Sequence, residues 1–160
     1  MVNLRPVLRR ARPDEADALS GLALASKAHW GYDEAFLASV REELTFRADD
    51  LAERHVVVAV LDGDLAGFYS LDGEPPHGEL GNLWLRPDRI GTGLGRVLWE
   101  HALTEAAAAG FEHLDIDAEP FAEGFYLRMG AERIGETPSG SIPGRVLPRL
   151  RVRPRDRRTS

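Results

Sequence analysis

Three glycines at alternate positions, Gly91, Gly93 and Gly95, separate a short apolar run, Leu83–Leu85, from a long helical pattern through Val97, Leu98, Ala102 and Ala106. Strand, glycine loop and helix N-terminus together make an anion site. The first-turn N–H groups of a helix have no intrahelical partner and carry a partial positive charge, and glycine lets an anion approach them closely. A P-loop would need Lys-Ser/Thr after its last glycine, but Arg96-Val97 follows Gly95. A dinucleotide fingerprint read from Gly91 or Gly93 would place its third glycine on Arg96 or Leu98. A phosphate seat of another kind remains, set against a bare glycine turn. Three alternating glycines opening an uninterrupted helix favour the seat. Other chemistries have less support. The chain has no cysteine, which excludes a thiol nucleophile, disulfides and zinc–thiolate sites. His55, His77, His101 and His113 show no ligand spacing, so no metal is expected, and there is no G-x-S-x-G elbow.

The stretch LWLRPDRIGTGLGR, Leu83–Arg96, resembles motif A of the GNAT superfamily of acyl-CoA-dependent N-acyltransferases, Q/R-x-x-G-x-G/A. Glycine register sets G-x-G on Gly93-Leu94-Gly95, which puts Ile90 where the family has Arg or Gln. A second segment, EPFAEGFYLRMGA (Glu119–Ala131), resembles the family's N-x-x-A-x-x-F-Y-x-x-x-G-F/A. Ala122, Phe125, Tyr126, Gly130 and Ala131 match it, and Glu119 replaces the usual Asn. The resemblance spans nearly the whole chain.

It implies transfer of an acetyl group from acetyl-CoA to a primary amine, on a small molecule or a peptide N-terminus, by direct attack in a ternary complex. The ligand's pantetheine would pair with Leu83, Trp84 and Leu85. Its pyrophosphate would rest on Ile90, Gly91, Thr92, Gly93, Leu94, Gly95 and Arg96. An alkylamine with pKa about 10.4 must lose a proton before it attacks, and a thiol of pKa about 8.5 is a fair leaving group. Glu79 matches the strand-four glutamate that some members use as base, and it reads equally well as a surface carboxylate. Tyr126 matches the helix-four tyrosine that faces the thioester sulfur and would act as acid. His29, Trp30 and Tyr32 lie where the family borders its acceptor pocket, though an interhelix plug suits them as well. Asp117, alternating with Asp115, would face the acceptor, or the two simply form the wet face of a strand. A catalytically silent acyl-CoA sensor is the alternative function. A structural partner acting through the arginine-rich end is a third. Many members pair through C-terminal strands, which leaves room for a homodimer.

Charge and composition narrow the partners. The net charge of −6 argues against general nucleic-acid binding. No apolar run approaches the about 20 residues that span a bilayer, and the N-terminus has no long apolar region of a secretory signal. A cytoplasmic protein is therefore expected. Lys27 is the only lysine among 20 basic residues, a bias that suggests a GC-rich bacterial gene. Arg149, Arg151, Arg153, Arg155, Arg157 and Arg158 crowd the C-terminus and read as a solvated strand face running into a frayed tail, or as a contact with an acidic partner or the nucleotide 3′-phosphate, the former preferred.

The elements that must position these groups follow from periodicity. Strands are expected over Val7–Ala11, Arg54–Leu61, Leu65–Leu71, Gly78–Arg86, Phe111–Ala118, Ala131–Glu136 and Arg145–Val152. Asp62-Gly63-Asp64 makes a hairpin turn. Helices are expected from Arg12 to Gly31, from Asp33 to Leu44, from Gly93 to Gly110 and over Ala122–Met129. The order β-α-α-β-β-β-α-β-α-β-β describes an α/β fold, a mixed sheet with helices on both faces, and it is also the GNAT order. Residues 1–153 would form one N-acetyltransferase domain, and 154–160 a basic, flexible tail.

Overall fold

A computed structural model of the chain describes residues 5–139 and 143–154. Arg155, Arg157 and Arg158 of the basic tail, and residues 140–142 of the Gly/Pro/Ser loop, lie outside them. The chain opens with β1 (Val7–Arg10) and a 3-10 turn over Pro13–Glu15. The Glu15 carboxylate accepts the Arg12 N–H at 2.8 Å and both ends of the Arg9 guanidinium at 2.9 and 2.8 Å, and so fixes the entry to α1 (Ala16–Ala28). Leu19, Leu22 and Ala23 form the buried stripe of α1. Gly31, at φ +87°, carries the chain out of it. Asp33 caps α2 (Glu34–Val40) by accepting the Phe36 N–H at 2.8 Å.

The first helix is shorter than the expected Arg12–Gly31 span, and the stretch that follows it also differs from expectation. The second helix stops at Val40 rather than Leu44, because the Leu44 N–H is shared between the Val40 and Arg41 carbonyls in a closing turn. A further short helix, α3 (Ala48–Glu53), precedes the second strand. Its six residues bury only Leu51, too little apolar spacing to show as periodicity. Local polar chemistry starts it instead: the Asp50 carboxylate accepts the Arg47 N–H at 2.8 Å.

β2 (His55–Leu61) turns at Asp62 (φ +52°) and Gly63 (φ +84°) into β3 (Asp64–Glu74), the two-residue hairpin that alternating strands favour. β3 runs past the expected Leu71. Then follow β4 (His77–Leu85), α4 (Leu94–Ala109), β5 (His113–Asp117), α5 (Glu123–Arg128), β6 (Glu132–Pro138) and β7 (Val146–Val152). The strands form a seven-stranded mixed sheet in the order β1-β2-β3-β4-β5-β7-β6. The β4–β5 pair is parallel, whereas β5–β7 and β6–β7 are antiparallel.

The chain divides into two compact units. The first comprises the chain up to Ser70 with Asn82–Leu98, and the second Leu71–Gly81 with everything from Trp99. β3, β4 and α4 each pass from one unit to the other. The first unit's core gathers Leu19, Leu22, Val40, Leu44, Val56 and Phe68, with Phe46 and Phe68 edge to face at 5.4 Å. In the second, Leu114, Ile116 and Leu150 are buried, and Trp99 packs on Phe125 and Tyr126. No helix among the described residues is long and apolar enough to cross a membrane.

Candidate active site

The glycine segment read as an anion seat lies wholly in the first unit, at the end of β4. After Leu85 a 3-10 turn, Pro87–Arg89, leads to Ile90 and the glycines. Gly91 (φ +81°) and Gly93 (φ +96°) adopt the left-handed conformation that a side chain resists, so glycine is required there. The Gly93 carbonyl accepts the Val97 N–H at 3.3 Å, which makes Gly93 the entry to α4. Leu94, Gly95 and Arg96 thus supply the first-turn N–H groups of a 16-residue helix. The loop uses some of its own donors internally. The Ile90 N–H goes to the Pro87 carbonyl, and both the N–H and hydroxyl of Thr92 go to the Arg89 carbonyl at 3.3 and 2.6 Å. Ile90 and Thr92 therefore build the turn, and the amides left to meet an anion are those of Gly91 and Gly93–Arg96. Arg96 is exposed, Ile90 is half-buried, and Leu94 and Gly95 are buried. One side chain here lacks a partner: the Arg89 Nε is buried with no hydrogen-bond acceptor among the described residues. Amides presented by positive-φ glycines at a helix N-terminus fit a phosphate-bearing ligand.

Leu83, Trp84 and Leu85, at the end of β4, are each half-buried. The ladder from β4 to β5 has three rungs, His77↔His113, Gly78↔Leu114 and Glu79↔Asp115, and ends there among the described residues. Leu83–Leu85 lie beyond its last rung. Side chains fix this end of the strand. The Trp84 indole donates to Asn82 Oδ1 at 3.0 Å, and the Asn82 amide donates to the buried Ser70 hydroxyl at 2.9 Å. On the other face, Leu85 and the Trp84 carbonyl press against Gly67, where an added Cβ would meet each at 2.9 Å.

The aromatic group between α1 and α2 is occupied from within. Tyr32 stacks on Phe36 at 4.1 Å, and the Lys27 ammonium lies 5.1 Å from the Tyr32 ring and 5.5 Å from Phe36. The cation over Tyr32 is thus the chain's own lysine, itself only 7% exposed. Trp30 meets the exposed His29 edge-on at 5.0 Å.

The proton-transfer candidates lie in the second unit. Glu79 is exposed on the last β4–β5 rung. It begins a row that crosses four strands through Asp115, Arg151 and Glu132. Asp115, only 7% exposed, takes both Arg151 Nε (2.7 Å) and Arg149 (3.2 Å). Burial raises its pKa, but those guanidiniums outweigh burial and hold it below the usual aspartate value. Asp117 is exposed and bound to Arg149 at 2.6 Å. The Arg149 guanidinium also senses the charge of Glu79. Tyr126 is 6% exposed and packs on Trp99 (5.8 Å) and Phe125 (5.4 Å). Burial, with the Glu119 charge adding to it, pushes its phenol well above the ordinary tyrosine value. Glu119, at the position of the family's asparagine, caps the turn into α5 by accepting the Phe121 N–H at 2.9 Å. Among the described residues no three His, Asp or Glu side chains gather as a metal site would need.

The sequence reading missed Gly67, the Asn82–Ser70 pair, Arg89 and the Arg149/Arg151 clamp. A signal existed for Gly67 alone, since glycine inside a strand pattern marks a close approach. The Asn82–Ser70 pair and the Arg149/Arg151 clamp depend on partners distant in sequence, and the burial of the Arg89 Nε depends on packing that spacing does not show.

Comparison with known proteins follows the same lines. The acetyltransferase (GNAT) family matches residues 22–131. The peptidyl-lysine N-acetyltransferase YjaB of Salmonella typhimurium is 32% identical over 148 residues, which cover 91% of this chain and 95% of that protein. A GCN5-related N-acetyltransferase structure from Rhodopseudomonas palustris superposes with a TM-score of 0.77 at 27% identity, covering 96% of this chain and 98% of its own. The PaiA N-acetyltransferase of Thermoplasma acidophilum, solved in complex with coenzyme A, has a TM-score of 0.76 at 18% identity, covering 94% and 99%, and shares the fold.

Proposed function

The chain belongs to the GNAT acetyltransferase family, and on that footing we propose that it moves an acetyl group from acetyl-CoA to a primary amine by direct attack. The observation that carries this reading is the loop after β4, where two left-handed glycines open α4 and leave first-turn amides without acceptors in the turn. Those groups suit the pyrophosphate of CoA, and the end of β4 at Leu83–Leu85 suits its pantetheine amides. The name of the Salmonella relative favours a lysine side chain as acceptor over a peptide N-terminus or a small molecule. The proposal treats residues 1–153 as one catalytic domain.

In this reading the amine attacks the thioester carbonyl, the C–S bond breaks, and the amine's proton leaves through a base while the thiolate takes up a proton. Glu79 is the base. It is exposed, so it accepts the proton as a solvated carboxylate, directly or through water. Tyr126 stands at the sulfur. A buried phenol with a raised pKa cannot hand its proton fully to a thiolate whose own pKa is about 8.5. It acts by donating a hydrogen bond to the developing charge, and the backbone N–H near Leu85 does the same for the carbonyl oxygen. Thiol release from acetyl-CoA over a panel of lysyl peptides, free peptide N-termini and small amines tests the reading. Turnover on at least one acceptor is expected. Tight CoA binding with no turnover on any would identify a silent acyl-CoA sensor instead.

A further inference from the structure

We propose that Trp99 is a positioning residue that sets where the Tyr126 hydroxyl lies. The inference rests on the acetyl-CoA reading above and deepens it, since it concerns the group which that reading places at the sulfur. Tyr126 is buried, and its phenol is shifted by burial and the Glu119 charge with no hydrogen bond contributing. Packing must therefore aim the ring. Phe125 meets it at 5.4 Å but belongs to the same six-residue helix, α5, and moves with it. A helix that short is marginal alone and takes its place from what it packs on. Trp99 supplies that reference from the 16-residue α4. It is 0% exposed and meets both rings of α5, Tyr126 at 5.8 Å tilted by 49° and Phe125 at 6.4 Å edge to face. All three rings lie in the second unit.

The main chain of Tyr126 is already held. Its carbonyl accepts the Met129 and Ala131 N–H groups at 3.1 and 3.0 Å in the turn that closes α5. What remains free is the swing of the side chain, and the indole face limits it. Trp99 does this by shape alone, because its Nε1 is buried with no acceptor among the described residues. Burying an N–H unpaired is unfavourable, and a phenylalanine or methionine there would avoid it. A local rule broken beside a group of the mechanism points to a functional constraint. Here the constraint is the width of the indole, which reaches two rings where a smaller side chain would leave one of them loose.

The test is a double-mutant cycle on steady-state turnover of acetyl-CoA with the acceptor that the wild-type protein uses fastest, alongside CoA titration and melting curves. Trp99→Phe and Trp99→Met are each made in the wild-type and in the Y126F background. Trp99→Phe should lower kcat about 10-fold, since a small displacement of a reacting group costs that much, with the Kd for CoA within about twofold of wild type. Trp99→Met, which has no ring, should keep less of the rate than Trp99→Phe. In the Y126F background neither should slow kcat by more than about twofold, because no hydroxyl is left to misplace. Both single variants should stay folded at the assay temperature. A kcat within about twofold of wild type in both, equal losses in the two backgrounds, a Kd for CoA raised as much as kcat falls, or loss of folding in both would each overturn the assignment. A wild-type rate in Y126F would also overturn it and leave the acetyltransferase reading standing, whereas no turnover by the wild-type protein on any acceptor would sink that reading itself.

Discussion

At Tyr126 a phenol is buried between rings, with its pKa driven upward by burial and by Glu119. Such a group stays protonated at neutral and mildly alkaline pH, so it should contribute no alkaline limb to a rate profile there. Tyr126→Phe keeps the ring packing and removes one hydrogen-bond donor. The expected result is a kcat about 10-fold to 100-fold lower, an unchanged Kd for CoA and an unchanged profile shape. A wild-type rate in Tyr126→Phe would remove the hydroxyl from the mechanism. Glu79 differs, because its side chain is exposed. Glu79→Gln should lower kcat while leaving the Kd for CoA alone, and the loss should shrink as pH rises toward the amine's own pKa, where less of the amine needs deprotonation. Turnover equal to wild type at pH 7 would assign proton removal to water or backbone.

At the scale of elements, the site depends on how β4 is held. Gly67 on β3 allows the Trp84 carbonyl and Leu85 to approach so closely that a Cβ would meet both at 2.9 Å and Leu98 at 3.0 Å. One of these neighbours is backbone and cannot rotate away. Gly67→Ala should therefore lower stability by about 1–3 kcal/mol and weaken CoA binding together, as the end of β4 is displaced. Urea unfolding and CoA titration of the same variant check this, and wild-type values in both would mean that the strands adjust freely. On β5, Asp115 is clamped by Arg149 and Arg151, whose side chains are 30% and 35% exposed. Its folded pKa lies below the unfolded value, so it adds stability above about pH 4 and loses that contribution as pH falls through the folded pKa. Asp115→Asn should lower stability by about 2 kcal/mol at pH 7, less than a fully buried pair because the arginines reach solvent. The gap to wild type should narrow as pH falls through the folded pKa of Asp115; a gap independent of pH would mean that packing rather than charge is at work. The sequence shows these elements well where periodicity or turn chemistry drives them. All seven strands and the long α4 follow from alternation, from Asp62-Gly63 and from the glycines at 91, 93 and 110. It does not show α3, whose start is set by Asp50 capping, nor the Asp115 clamp, whose partners lie more than thirty residues away.

For the molecule as a whole, the family and its glycine loop were legible because motif spacing is local, whereas the acceptor side was not. Tyr32, read either as the border of an acceptor pocket or as an interhelix plug, stacks on Phe36 and lies under Lys27. Asp117, read as facing the acceptor or as part of the wet face of a strand, is bound by Arg149. What remains to attract an amine is less a pocket of named residues than a charge imbalance. The chain carries a net charge of −6. Within the second unit, Glu79, Asp115 and Asp117 outnumber the two guanidiniums that answer them. A lysyl acceptor flanked by basic residues should therefore be drawn in at low ionic strength, and one flanked by acidic residues should be held off. Screening shortens from about 30 Å at 0.01 M salt to about 8 Å at 0.15 M, so both effects should fade as salt is added. Steady-state rates on two peptides of equal length, one with lysine between arginines and one with lysine between glutamates, would show this. The expected kcat/KM is several-fold higher for the basic peptide at 0.01 M salt, with the ratio falling toward one at 0.15 M and above, chiefly through KM. A preference for the acidic peptide at low salt would mean that a local basic surface, such as that around Arg149 and Arg151, rather than the net charge governs approach to the site.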